Sequence, residues 1–153
     1  MKPILDACCG ARMFYFDKED KRIVFQDIRE LETTLCDGRK LIIKPDILGD
    51  FRKMKFADNH FKLVIFDPPH LYKVGEKSWL ALKYGKLGEN WKNDLKQGFN
   101  ECWRVLDNGG TLLFKWNETD IKVGEMIKLF EKKPILFNKR DKTHWIVYFK
   151  EIK

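Results

Sequence analysis

The run Leu63-Val64-Ile65-Phe66, cut off by Asp67-Pro68-Pro69, constrains the fold more than any other stretch of this chain. Four consecutive apolar residues leave no face to turn toward water, as in a strand covered on both sides of a sheet. The two prolines remove two backbone donors and fix φ, so ladder pairing cannot continue beyond Asp67. A strand of this kind belongs to a layered α/β structure in which helices cover a mainly parallel sheet.

The remaining sequence repeats the theme. Pro3-Ile4-Leu5 and Ile23-Val24-Phe25 are short apolar runs, each ending at an aspartate, Asp6 and Asp27. From Trp91, apolar residues recur at Leu95, Phe99, Cys102 and Leu106, which predicts a helix. Asn108-Gly109-Gly110 is expected to end that helix, with a strand over Leu112-Leu113-Phe114. Ile121 to Phe130 fits a further helix closed by Pro134. Ile135-Leu136-Phe137 and Trp145 to Phe149 read as a terminal pair of strands. Cys36-Asp37-Gly38-Arg39 holds the Asp-Gly of a tight turn and predicts a small hairpin before Asp46. Residues 70–90 lack sustained periodicity and contain three glycines, the pattern of a functional loop or lid. The 153 residues fit one domain, spanning 1–153.

Charge and cysteine usage narrow the partners. The 30 Lys+Arg against 23 Asp+Glu give a net charge of +7. That excess favours contact with phosphates, nucleic acid (DNA or RNA) first, the alternative being solubility alone. Cys8, Cys9, Cys36 and Cys102 form no CxxC pair, and His60, His70 and His144 show no metal-ligand spacing with them. Reduced thiols and no metal are therefore expected. No apolar run is long enough to span a membrane, and no signal-peptide pattern opens the chain, so a cytoplasmic protein with no membrane partner is expected.

In an open α/β sheet, ligands sit beyond the carboxyl ends of the strands. The chemistry-bearing residues fall at those ends. The first strand runs into Asp6-Ala7-Cys8-Cys9-Gly10, where the glycine permits a tight turn. Asp27 ends the second strand and can accept hydrogen bonds from both hydroxyls of a ribose. Such a pair also fits other nucleotide binders or plain strand ends. Ala11-Arg12-Met13 follow Gly10, so there is no G-x-G-x-x-G, and a bound pyrophosphate is disfavoured.

Asp67-Pro68-Pro69-His70 is the sharper signal. It reads either as a strand followed by a rigid turn, or as a turn aiming the Asp67 carboxylate and the Pro68 carbonyl at one point. Two acceptors so aimed can hold both protons of an NH2 group and fix its lone pair, while the His70 ring stacks on a planar base. An exocyclic amine is a poor nucleophile, so positioning carries much of such a reaction.

These residues resemble a known family. Leu5 to Gly10, then Asp27, then Phe66-Asp67-Pro68-Pro69-His70 are similar to class I S-adenosyl-L-methionine-dependent methyltransferases. A closer likeness is to small phage- and mobile-element-type members with this DPPH element. It is carried by Phe61 to Leu71, Lys83 to Leu87, Phe114 to Glu118 and Thr143-His144-Trp145. The resemblance implies a Rossmann-like seven-stranded sheet, mainly parallel, with a C-terminal antiparallel hairpin. It further implies that Asp6, Ala7, Cys8, Cys9 and Gly10 surround the methionine part of the cofactor, Asp27 holds its ribose and Ile28 packs on adenine. Asp46 and Ile47 would meet the adenine edge. Asp67, Pro68, Pro69 and His70 would form the acceptor site, with Asp67 also beside the donor. His70 stands where DNA amino-methylating enzymes more often carry Tyr or Phe. The first crossover is too short for a full helix, and no target-recognition domain fits in the chain.

Tyr72, Lys73, Trp79, Lys83, Tyr84 and Lys86 interleave rings with lysines in the loop, as a single-strand or flipped-base site requires. They also fit a lid whose rings pack inward. Lys115 and Trp116 are candidates for the acceptor pocket, or else mark a strand end. Lys132, Lys133, Lys139, Arg140 and Lys142 form a second basic cluster, read as a solvated turn. Cys8 and Cys9 read as small residues near a cofactor, not as nucleophiles. The expected activity is methyl transfer to an exocyclic amino nitrogen, on a nucleic-acid base with adenine first. The alternatives are a small-molecule or protein-glutamine methyltransferase, or a non-catalytic nucleic-acid-binding subunit.

Overall fold

The computed structural model describes residues 1–153. Nine strands and three helices follow one another: β1 Ile4–Asp6, β2 Ile23–Asp27, β3 Leu31–Thr34, β4 Lys40–Ile43, β5 Ile47–Leu48, β6 Phe61–Phe66, α1 Trp79–Tyr84, α2 Trp91–Val105, β7 Leu106–Asn117, α3 Val123–Phe130, β8 Leu136–Arg140 and β9 Thr143–Phe149. Seven strands form one sheet in the order β5-β2-β1-β6-β7-β9-β8. From β5 to β7 the neighbours run parallel, while β9 lies antiparallel between β7 and β8. The order reverses at β1, which puts the switch point between β1 and β6. β3 and β4 make a separate hairpin around Asp37-Gly38, where Leu35 N donates to Arg39 O at 2.8 Å.

The apolar run Leu63-Val64-Ile65-Phe66 is central. Val64 and Phe66 of β6 are fully buried on one face with Leu5, Leu112, Phe114 and Ile146, and α2 and α3 close over them through Leu95, Phe99, Met126 and Phe130. Phe99 and Phe130 stack at 4.2 Å between centroids. Gly98 is what lets α2 come this near. A Cβ there would collide with the Phe51 ring and stand 2.9 Å from Phe66. The β6–β7 register pairs Phe66 with Phe114, so Asp67 and Lys115 leave adjacent strands side by side.

Two sequence expectations need correction. The Asn108-Gly109-Gly110 stretch does not end the long helix, which stops at Val105; these residues lie inside β7. Lys150 N donates to Gly110 O and Gly109 N to Lys150 O, which ties the glycines to the C-terminal strand region. The loop after Pro69 is not wholly irregular either. It contains the six-residue α1, capped by Ser78, whose hydroxyl accepts from Ala81 N. The first crossover, residues 7–22, holds no helix. No helix is long and apolar enough to cross a membrane.

Candidate functional site

The ends of β1, β2, β6 and β7 open into one cleft, lined by Cys8, Cys9, Gly10, Ala11, Met13, Phe14, Asp27, Ile28, Arg29, Phe51, Asp67, Pro68, Pro69, His70, Lys83, Tyr84 and Lys115. The turn after β1 and the turn after β6 thus face each other across the switch point.

The β1 side is tied down by backbone donors. Gly10 has a φ of 51°, in the left-handed region that a glycine takes without strain. Its amide then reaches Asp27 Oδ2 at 2.8 Å, and Arg29 N donates to Asp27 Oδ1 at 2.9 Å. Asp27 is buried, so these bonds hold its carboxylate in one orientation, with lone pairs left for further donors. Beside it Ile28 is 56% exposed, an apolar side chain left open in the cleft.

Asp6 sits lower, fully buried. Tyr15 donates its hydroxyl to Asp6 Oδ2 at 2.7 Å, and Cys8 N donates to Oδ1 at 3.2 Å. Burial raises the Asp6 carboxyl to about 7 in spite of the Tyr15 bond. Asp6 therefore braces the turn from beneath, in contact with Cys8, and does not itself line the cleft. Ala7 is likewise buried, its amide donating to Ile65 O. Burial also pushes the Cys8 thiol well up and Cys9 to about 12, which leaves neither as a thiolate nucleophile near neutral pH.

The β6 side is built across elements. Asp67 Oδ2 accepts from Lys115 Nζ at 3.1 Å. Burial pushes the Asp67 carboxyl upward, and the Lys115 ammonium opposes that. The same ammonium lies 5.1 Å from the centre of the Phe14 ring and 5.5 Å from Trp145. His70 faces Tyr84 at 5.7 Å and meets the Trp116 ring edge-on at 6.3 Å. Burial, then the nearby Lys115 charge, lower His70 to about 4, so the ring is neutral near pH 7. Arg29 connects the two sides: its Nη1 donates to Leu82 O of α1 at 2.7 Å, while Nε lies 3.6 Å from Asp27.

The cleft gathers Cys8, Cys9, Gly10, Asp27, Ile28, Asp67, Pro68, Pro69, His70, Lys83, Tyr84 and Lys115 from the sequence reading. Other candidates lie elsewhere. Asp46 points into a separate groove with Arg12, Lys18 and Lys44, and its carboxylate is taken up by Lys2 and the Phe25 amide. Ile47 stands exposed on the short β5, outside the cleft. The Tyr72 and Lys73 amides donate to Asp120, which pins the start of the loop. Tyr72 and Lys86 line a groove on the other side of α1, and Trp79 begins that helix half-exposed. Trp116 is a correction: it is fully buried, its indole donates to Ile121 O, and it reaches the cleft only by supporting His70. Sequence reasoning missed Arg29, Phe51, Met13 and Phe14. The aromatic triplet Phe14-Tyr15-Phe16 inside so short a crossover was the available signal.

Neither a protein-family model nor a curated protein matches the chain. Solved structures do. The PH0226 protein of Pyrococcus horikoshii superposes with a TM-score of 0.63 at 18% identity, over 97% of this chain and 81% of that one. A SAM-dependent methyltransferase of Methanosarcina mazei gives 0.61 at 12% identity, over 98% and 92%. The 1,6-didemethyltoxoflavin-N1-methyltransferase of Burkholderia thailandensis, with 1,6-didemethyltoxoflavin and S-adenosylhomocysteine bound, gives 0.58 at 10% identity, over 97% and 70%. These identities speak to architecture only. The chain has the Rossmann-like fold of the S-adenosylmethionine-dependent methyltransferases, with a mostly parallel seven-stranded sheet and an antiparallel C-terminal end.

Proposed function

We propose that this protein transfers a methyl group from S-adenosylmethionine to an exocyclic amino nitrogen of a base in DNA or RNA, with adenine the first candidate. The observation that carries this reading is one cleft shared by two turns. Gly10 and Asp27 stand on one side, Asp67-Pro68-Pro69-His70 on the other, at the carboxyl ends of neighbouring strands. The residues fit the cofactor: a buried, oriented Asp27 carboxylate suits ribose hydroxyls, and the exposed Ile28 beside it suits one face of an adenine. Bound there, the cofactor would supply an electrophilic methyl group, its sulfonium sulfur departing as a thioether with the C–S bonding pair.

The chain's own work is then positioning. Asp67 accepts a hydrogen bond from the amine, and the Pro68 carbonyl is the second acceptor. The neutral His70 ring, backed by Tyr84 and Trp116, offers a flat surface for the base. Lys115 donates to Asp67 Oδ2, so an amine bonded to that oxygen exchanges one hydrogen-bond donor for another. The nitrogen lone pair forms the new N–C bond, and the nitrogen then passes one proton by way of the Asp67 carboxylate to water. The DPPH element, the likeness to phage- and mobile-element-type enzymes and a cytoplasmic location belong to this reading. So does the +7 charge, with Lys83 in the cleft and Lys73, Lys77 and Lys86 nearby in the loop as phosphate contacts.

A small-molecule acceptor is the second reading, because the Burkholderia neighbour bears the name of an N-methyltransferase of a small heterocycle. Incubation with labelled S-adenosylmethionine and DNA, RNA or a pool of free heterocyclic amines, followed by mass spectrometry of the nucleosides, separates the two. Label on N6 of adenine in polymer is the expected result. Label on free heterocycles alone would move the function to the second reading, and a methyl on a ring carbon would remove Asp67 from its role.

A further inference from the structure

Lys115 leaves β7 beside Asp67, and its side chain is only 22% exposed. An ammonium carries three N–H donors and no acceptor. One donor goes to Asp67 Oδ2 at 3.1 Å. For the others the protein offers ring faces: Phe14 of the crossover, at 5.1 Å, and Trp145, the cross-strand partner of Lys115 on β9, at 5.5 Å. Rings attract a cation and hold it in place, but they do not replace a hydrogen-bond acceptor. Burial first, and the Lys115 charge after it, keep the His70 ring neutral, so the ammonium stands near both groups of the acceptor turn. All three side chains line the cleft.

We propose, resting on the amino-nitrogen function above, that Lys115 selects the acceptor by donating to the ring nitrogen beside its amine. Asp67 and Lys115 together then read an N–C–N edge that presents one donor and one acceptor. An amine bonded to Asp67 Oδ2 takes the oxygen that Lys115 now uses. The displaced ammonium N–H, still held by the two rings, needs a new acceptor within reach, because a part-buried cation left unpaired lowers affinity by about ten- to hundredfold. Adenine and cytosine meet that need: N1 of adenine and N3 of cytosine are bare acceptors on the carbon that bears the amine. Two parallel hydrogen bonds, amine to carboxylate and ammonium to ring nitrogen, match two donors to two acceptors. Guanine fails on the same edge, where N1–H sets a donor against the ammonium, and an aliphatic amine has no neighbouring acceptor. A carboxamide carries the same pair of groups but gives the His70 ring no aromatic face. In a duplex this edge is taken by the partner base, so the acceptor reaches the cleft unpaired or flipped out.

Single-turnover transfer from S-adenosylmethionine to single-stranded oligonucleotides tests this. Each carries one adenine, 1-deazaadenine or 7-deazaadenine, with cytosine and 3-deazacytosine as a second pair, and each is given to the wild type and to Lys115→Met. Loss of the ring nitrogen beside the amine should slow the wild type by about ten- to hundredfold, and the 7-deaza change by no more than about threefold. Lys115→Met, slower on the natural base, should lose no more than about threefold further with the 1-deaza or 3-deaza base. Calorimetry with S-adenosylhomocysteine should give the two proteins the same affinity within about threefold. A wild type that methylates 1-deazaadenine as fast as adenine overturns the proposal without recourse to the variant. So does an equal loss in both proteins, a loss that follows the 7-deaza base, or a weakened cofactor in Lys115→Met, which would make the lysine a cofactor ligand. Any of these beside normal transfer to adenine leaves the proposed function standing and removes only this role of Lys115. No labelled adenine or cytosine in any oligonucleotide brings down the amino-base reading itself, and the role of Lys115 with it.

Discussion

The two sides of the cleft are held by different means. On the β1–β2 side, Asp27 is fixed by the amides of Gly10 and Arg29, donors 17 and 2 residues away whose positions follow from the turns themselves. On the β6–β7 side, Asp67 is fixed by a flexible lysine ammonium 48 residues away, and His70 rests on rings from α1 and β7. Backbone donors cannot be withdrawn without refolding the turn; a lysine can be. The first side is built as a permanent mould, the second as a set of contacts that an incoming group can displace.

The contrast is testable, beginning with the largest effect. Asp67→Ala should leave cofactor affinity nearly unchanged and lower methyl transfer about 100-fold or more, a typical cost of misplaced reacting groups. Asp67→Asn, which keeps one acceptor oxygen, should retain more activity. Single-turnover rates beside calorimetric titration of the cofactor give both numbers, and wild-type transfer by the Ala variant would break the comparison. Asp27→Ala should do the reverse, weakening cofactor binding by about 1.5–3 kcal/mol because the lost bonds are to a charged acceptor. Equal loss of acceptor affinity in that variant would mean that the two sides are not separate.

How much of this could be read from the sequence follows the same division. The β1 turn, Asp27 and the Asp-Pro-Pro stop are contiguous motifs, and the structure gathers them in one cleft. The Asp67–Lys115 pair was invisible because it depends on the β6–β7 register, which only the folded ladder specifies. Trp116 looked like a pocket residue because it follows Lys115. Alternation along β7 sends it to the opposite, helix-covered face. Asp46 misled for a related reason: it lies at a strand border as expected, but Lys2 and the Phe25 amide turn its carboxylate away from the cleft.

His70→Ala should weaken acceptor binding by about tenfold through lost stacking, while His70→Phe keeps most of it. Because His70 is lowered to about 4, acceptor affinity should show no His70-dependent step across pH 6 to 7. A step near 6.5 that disappears in the Phe variant would mean that the ring acts as a charge.

The smallest effect is one of stability. Asp6 is raised from 3.8 to about 7, so the folded state holds a proton that the unfolded chain releases, and its contribution is lost as pH rises from about 4 through 7. His70, lowered from 6.5 to about 4, acts in the opposite sense, and its contribution is lost as pH falls through that window. Urea unfolding should therefore show Asp6→Asn gaining on the wild type between pH 5 and pH 8. A difference independent of pH would mean that Asp6 holds no such proton in the folded state.

Gly98 extends the reach of the cleft to a helix that never touches it. Its missing side chain is the space into which Phe51 fits, and Phe51 is one wall of the cleft. A single methyl group added on α2 would be transmitted as a displaced wall rather than as a local defect. Substitutions in the protein's back half can therefore imitate active-site lesions. In a random library scored on cofactor binding, Gly98 should group with Asp27 and Gly10 rather than with its neighbours on the helix.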